Sequence, residues 1–489
     1  MTPVESAQVR GALGWSTIST LILRVGTFAV GIVLARLLTP EQFGVFAVAL
    51  TVQAVLITLA DLGLSADLIR TPDPKRIAPT VATFGLAAGA VMTAGMALSA
   101  HSVASLLRSP AAGNVIVVLS FTLLLGGAGL VPYSMLQRRF QQKRLFLIAA
   151  IDFVVGTTIT LLLLWAGWGV MALAVGRVAA QSVTLILQFA LSGERPRYGI
   201  DRAVVRPVLA FGLPIAAANL LSWALLNIDN VVISRISGPV ALGFYFLAFN
   251  ISSWPMTALG QIVRSVALPT FSRTVVARND PSLATATSLT WAVAVPAGAF
   301  LALLSGPLIA VVYGDKWAAA APVLAALGLF GAVRAIFDLI VSYLLSRGAS
   351  REVLAIQVLW FVVLVPATIF GTLRWGIEGA AWAHLAVSLV IVLPAYLIAA
   401  RRSGADVRLV LKLGWQPVAA MIPAALTVLG ATLLLPNDLP ALIGGGLAGG
   451  AVYLLLIFRW VRARIPARTP TPAPDPIATP NSPVEERNS

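Results

Sequence analysis

Three of the chain's 34 basic residues, Arg24, Arg177 and Arg334, stand inside long apolar runs, and so do Asp229, Asp338 and His384. A charge in an apolar medium costs several kcal/mol or more unless it is paired or hydrogen-bonded, so each is a functional candidate. A guanidinium is a planar fork of donors suited to bidentate binding of phosphate or carboxylate oxygens. Arg24 lies near the middle of its run, about 18 Å from one end, too deep to snorkel easily. Arg334 and Asp338 are four apart and share a helix face, so mutual neutralisation competes with ligand binding. Asp229 sits in Asn227-Ile228-Asp229-Asn230, three polar residues within one turn. It is a candidate for ion coupling or for pairing with an arginine, against a polar cluster that reaches interfacial water. Histidine changes charge in the physiological range, so His384 suits proton linkage if it lines a cavity; a satisfied structural residue is the alternative.

Other chemistries are excluded. There is no cysteine, which removes disulfides, thiolate metal sites and cysteine nucleophiles. His101 and His384 are the only histidines, too few for a multi-His metal site. None of Lys75, Lys143, Lys316 and Lys412 is followed by Ser or Thr, so the phosphate-binding loop of an ATPase is missing. No acid-x-acid pair occurs, which argues against a membrane glycosyltransferase. No cofactor and no metal is expected.

The elements that must position these residues are membrane helices. Of the 489 residues, 58% are hydrophobic and 11% charged, where a soluble domain carries roughly 25% charged. Lipid must be the surrounding solvent. Fourteen apolar runs are long enough to span: 12–35, 42–63, 79–100, 113–135, 146–167, 169–191, 207–234, 240–262, 283–312, 319–345, 352–372, 376–400, 413–435 and 439–460. Residues 465–489 are Pro-rich and polar and read as a disordered cytoplasmic tail. Alternate loops divide the remaining basic residues 26 against 5. The sparse set is Arg36, Arg108, Arg235, Lys316 and Arg374. The positive-inside rule places both termini in the cytoplasm and these five residues outside. A net charge of +15 distributed this way is a topology signal and not a nucleic-acid face.

The chain repeats internally. Residues 36–44 (RLLTPEQFG) and 235–243 (RISGPVALG) share Arg-x3-Pro-x3-Gly, and 168–177 (WGVMALAVGR) matches 375–384 (WGIEGAAWAH). Spans 1–6 thus correspond to spans 7–12. Six spans is an even number, so both halves share one orientation and a pseudo-two-fold axis runs along the membrane normal. The expected organisation is a lobe over 1–206, a second over 207–402, extra spans 13 and 14 within 403–464, and the tail. Arg177 and His384 are equivalent in the repeat and would face each other across a central cavity. Prolines interrupt several spans, and Pro214 and Pro255, at the start of the second lobe, are hinge candidates.

At LARLLTPEQFGVFAVAL (34–50), LQRRFQQKRL (136–145), ALPTFSR (267–273) and YGDKWAAAAPVLAALGLFG (313–331) the chain resembles the polysaccharide transporter family, on its Wzx-type and teichuronic- and colanic-acid exporter side. That family lies within the multidrug/oligosaccharidyl-lipid/polysaccharide exporter superfamily. The resemblance covers about residues 10–400. It implies an all-α polytopic fold, two pseudo-symmetric six-helix lobes around a central cavity, and alternating access. It also implies a cargo of polyprenyl-diphosphate-linked oligosaccharide flipped across the plasma (inner) membrane, no enzymatic activity, a monomer, and polysaccharide polymerase or assembly proteins as partners. On this reading Arg24, Arg177, Arg334 and His384 would meet the anionic head group. Asn219 and Asn250 are candidates for sugar hydroxyls or for interhelical bonds, and Asp229 and Asp338 for ion coupling. An ion-coupled drug exporter of the same superfamily is the main alternative. Its site would favour acidic and aromatic lining over arginine.

Overall fold

The computed structural model describes residues 22–61, 63–195, 197–273 and 280–462. The expected tail, and span 1 before residue 22, lie outside the described residues. The chain is all-α. Helix α1 covers 22–37 and is followed by α2 (Pro40–Asp61), α3 (Leu64–Arg70), α4 (Pro74–Leu106), α5 (Ala112–Arg138), α6 (Gln142–Trp165) and α7 (Met171–Ser192). The second half begins with α8 (Arg202–Arg273), α9 (Ser282–Leu303), α10 (Ser305–Val312) and a 3-10 turn (Asp315–Ala320). It continues with α11 (Ala321–Ser346), α12 (Ser350–Val387), a π turn (Ser388–Val392) and α13 (Leu393–Arg402). Helices α14 (Val407–Leu434) and α15 (Asp438–Arg462) complete the described residues.

Among the described residues, eleven helices are long and apolar enough to cross a membrane, against fourteen expected runs. The difference has local causes. Of the first run only 22–37 is described. Runs 7 and 8 are two helical segments of α8 that meet at a break at Gly238 (φ 83°), and runs 11 and 12 join in the same way through Trp375 and Gly376 (φ 62°). Both glycines take the left-handed backbone that other residues avoid, and turn the chain without a loop. The break in α8 falls at neither Pro214 nor Pro255; both lie in helical segments, and Pro214's side chain is outside the described residues.

The repeated motif has a structural reason. A Cβ on Gly44 would stand 1.7 Å from the carbonyl oxygen of Pro239, and one on Gly243 would stand 2.0 Å from that of Pro40. Residues 40 and 44 of α2 thus meet residues 239 and 243 of α8 reciprocally, backbone on backbone. Only glycine permits this approach. Around the crossing, the Trp317 ring packs edge-on against Phe43 (5.4 Å) and Phe244 (5.9 Å). Among the described spans, the one that contains α11 is the most enclosed. Helices α14 and α15 sit against α9, where Tyr453 donates to the Ala292 carbonyl at 2.8 Å.

Candidate functional site

A cavity of about 520 Å³ opens among the helices of the first half and the α8 residue Asn219. Helix α7 presents Arg177, Gln181 and Gln188 to it, spaced four and seven residues apart and therefore on one face. Helix α5 presents Thr122, Gly126, Gly129 and Tyr133 at steps of four, three and four. Gln53 and Thr58 of α2, Ser65 of α3 and Asn219 of α8 complete the polar wall. Glycine makes the space. A Cβ on Gly126 would meet nothing within 4 Å, whereas Gly127 lies against the Gly85 carbonyl and draws α5 onto α4.

Arg177 is the cavity's one charged lining residue among those described. Its Nη1 lies 3.5 Å from Asp152 Oδ2, and the hydroxyl of Thr184 donates to Asp152 Oδ1 at 2.8 Å. Asp152 lies well inside α6 and orients this guanidinium. The Arg177 side chain remains 52% exposed. A half-exposed cation at this depth requires a hydrated or ligand-filled space.

The other expected residues fall elsewhere. Asn219 lines the cavity; Arg24, Arg334, His384 and Asn250 are not among its lining residues. Asn250 donates to the Phe246 carbonyl of its own helix at 2.7 Å. Arg24 is half-buried, with no hydrogen-bond partner for its Nε among the described residues. Its helix is wedged between Phe153 of α6, which faces Gly26, and Trp254 of α8, whose ring lies 4.6 Å from Phe28. Arg334 and Asp338 are half-buried and both engaged. His384 does not oppose Arg177 across a cavity. It is 1% exposed, 5.1 Å from the Phe330 ring, with Nε2 at 3.3 Å from Asp229 Oδ2, ion-pair distance but off the hydrogen-bond direction. Asp229 is equally buried, accepts from the Tyr245 hydroxyl at 2.5 Å and from the Asn230 N–H at 3.0 Å, and so does not reach interfacial water. Bulk surrounds it: Phe330, against the His384 ring, and Phe337 of α11 both pack on Trp360.

The sparse loops expected outside join the two halves. Lys316 donates to the carbonyls of Arg36 and Leu38, each at 2.8 Å, and Trp317 Nε1 to that of Ala35 at 2.9 Å. Arg36 returns the interaction, its Nε donating to Val312 at 2.8 Å and its Nη2 to Val311. Nearby, Arg108 donates to the Ile236 carbonyl at 3.2 Å and Ser234 to that of Leu107 at 2.6 Å. Four helix C-termini arrive at this face with orphan carbonyls, and each is capped from the opposite half. Three of the five exceptional cations are thereby accounted for: they cap and cross-link.

Sequence reasoning missed Gln53, Gln181, Gln188 and Tyr133. The signal was present for α7, because residues 177, 181 and 188 form a polar stripe in an apolar helix.

The family described as polysaccharide biosynthesis protein matches residues 33–322. The succinoglycan biosynthesis transport protein ExoT of Rhizobium meliloti is 29% identical over 475 residues, covering 94% of each chain. The lipopolysaccharide biosynthesis protein WzxC of Escherichia coli is 24% identical, covering 78% of this chain and 79% of its own. Among solved structures, the lipid II flippase MurJ in an inward closed conformation superposes with a TM-score of 0.75 at 16% identity, over 92% of this chain and 99% of its own. An inward-facing multidrug transporter of the MATE family gives 0.62 at 17%, over 79% and 98%. At such identities these structures show a common fold.

Proposed function

The chain belongs to the polysaccharide biosynthesis protein family, and from that premise we propose that it flips a polyprenyl-diphosphate-linked oligosaccharide across the inner membrane for cell-surface polysaccharide synthesis. The cavity carries this reading. It holds a half-exposed guanidinium inside an apolar helix set, surrounded by carboxamides and hydroxyls. The lipid tail of such a cargo stays in the bilayer; only its diphosphate and sugars need a polar route. Arg177 meets the diphosphate, oriented by Asp152 and Thr184.

Residues 1–206 and 207–402 act as two lobes about the Gly44–Gly243 crossing, with both termini in the cytoplasm. The reciprocal caps at Arg36, Lys316, Trp317 and Arg108 close the external side, so the cavity takes cargo from the cytoplasmic side. Alternating access requires these caps to part. Asp229, beside His384 and Tyr245, is the ion-coupling candidate, and Pro214 and Pro255 are the hinges. We take the protein to act as a monomer that hands its product to polymerase or assembly proteins. Drug export, the second reading, is supported by the MATE likeness in fold, and a cationic drug is disfavoured by the arginine in the wall.

The test is flipping of a fluorescent polyprenyl-diphosphate oligosaccharide in proteoliposomes, with and without a proton or sodium gradient. The expected result is protein-dependent flipping. Transport of a cationic dye without flipping would favour the drug exporter, and neither activity would overturn the reading.

A further inference from the structure

We infer that Gln188 is a glycan-reading residue, separate from the site that holds the diphosphate. This rests on reading the cavity as the cargo route. Gln188 lines the cavity yet is only 7% exposed, and its Oε1 is buried with no hydrogen-bond partner among the described residues. A buried carbonyl left unpaired destabilises a fold, and native proteins rarely keep one without a use. The surroundings make room for it. A Cβ on Gly129, itself a lining residue, would stand 2.3 Å from that oxygen, so the bare glycine is what lets the carboxamide lie where it does.

The chemistry of the orphan group selects its ligand. A carbonyl oxygen accepts hydrogen bonds and cannot donate. An ionised diphosphate also only accepts, and a polyprenyl chain does neither. Of the three parts of the cargo, only the sugar carries donors, as hydroxyls or acetamido N–H groups. Gln188 stands 11 residues from Arg177 on the same face of α7, about 16 Å along the helix axis. A head group anchored by phosphate at Arg177 therefore extends past Gln181 before it reaches Gln188. Arg177 reads what every polyprenyl-diphosphate cargo shares, and Gln188 reads what distinguishes them. A purely structural Gln188 would be improved by an apolar replacement of similar volume.

The experiment measures binding to the full chain in nanodiscs, with bare polyprenyl diphosphate and with polyprenyl-diphosphate disaccharide as the two probes. Gln188→Leu is expected to weaken the disaccharide probe roughly threefold to tenfold, the loss of one hydrogen bond. It should leave the bare carrier unchanged and the thermal midpoint equal or higher. Arg177→Ala should weaken both probes. Equal affinities for wild type and Gln188→Leu, or equal losses on both probes, would overturn the inference while leaving the cargo reading intact. If the wild type binds neither probe, the cargo reading itself fails. Gln188→Met, similar in length and lacking the carbonyl, gives the same comparison if leucine packs poorly.

Discussion

Arg177 and His384 occupy matching places in the two repeated halves, yet one side chain is half exposed in a cavity and the other is sealed beside Asp229 and Phe330. The contrast comes from the fourth helix of each half. In α5 the residues facing inward include Gly126, Gly127 and Gly129; in α11 they include Phe330 and Phe337, whose rings lie 6.4 and 5.5 Å from Trp360. A repeat preserves where a residue sits along its helix. It does not preserve what surrounds it: glycines line the cavity beside Arg177, and the Phe330 ring lies against His384. Among the described residues, Arg177 of the first half lines a cavity, and His384 of the second is packed against Phe330 and Asp229.

Substitutions that respect this difference should separate stability from transport, and they fall in order of their effect on stability. The seam is most sensitive. Gly44→Leu or Gly243→Leu would force a side chain into a facing carbonyl. We expect almost no monodisperse protein on size-exclusion chromatography in detergent, and a well-behaved Gly44→Leu protein would dissolve the proposed crossing. In the packed half, His384→Ala should cost about 3 kcal/mol in thermal or denaturant unfolding, because it opens a cavity beside Phe330 and takes away the imidazole 3.3 Å from buried Asp229. The double variant with Asp229→Ala should recover part of that loss; additive losses would mean the pair is not coupled. At the face where the two halves cap each other, Lys316→Ala removes donors to two orphan carbonyls and should cost about 1 kcal/mol. It should also raise reactivity of a cavity thiol toward reagents added from outside. The hollow half should be the most tolerant. Arg177→Ala breaks a half-exposed pair worth about 1 kcal/mol or less. Gly126→Leu replaces a helical glycine beside open space and should raise stability by up to about 1 kcal/mol. Both should nonetheless lose flipping. If Gly126→Leu flips normally, the cavity is not the route.

Much of this was legible in the sequence. Apolar runs gave the helices, the basic-loop asymmetry gave an orientation to test, and the two Arg-x3-Pro-x3-Gly motifs marked the seam, although nothing in them says that their glycines touch each other. The cavity was half legible. Arg177 and Asn219 stood out as polar residues in apolar runs. Gln181 and Gln188 did not, because uncharged carboxamides in membrane helices more often serve interhelical bonding, and only their helical register with Arg177 distinguishes them. The pairing of His384 with Asp229 joins residues 155 positions apart through α11 packing, and no local pattern encodes it. The cations of the sparse loops counted as exceptions to a topology rule; the work of Arg36, Arg108 and Lys316 as caps depends on helix ends that meet only in the folded chain.

Because the chain contains no cysteine, Gly126→Cys introduces a single thiol at the cavity wall, where its side chain has open space. We would measure its labelling by a membrane-impermeant maleimide from each side of oriented vesicles, with and without polyprenyl-diphosphate oligosaccharide. The account predicts labelling from the cytoplasmic side that the cargo slows severalfold. Labelling from the outside alone, or at a rate the cargo does not change, would contradict the claim that the first half's cavity receives the head group.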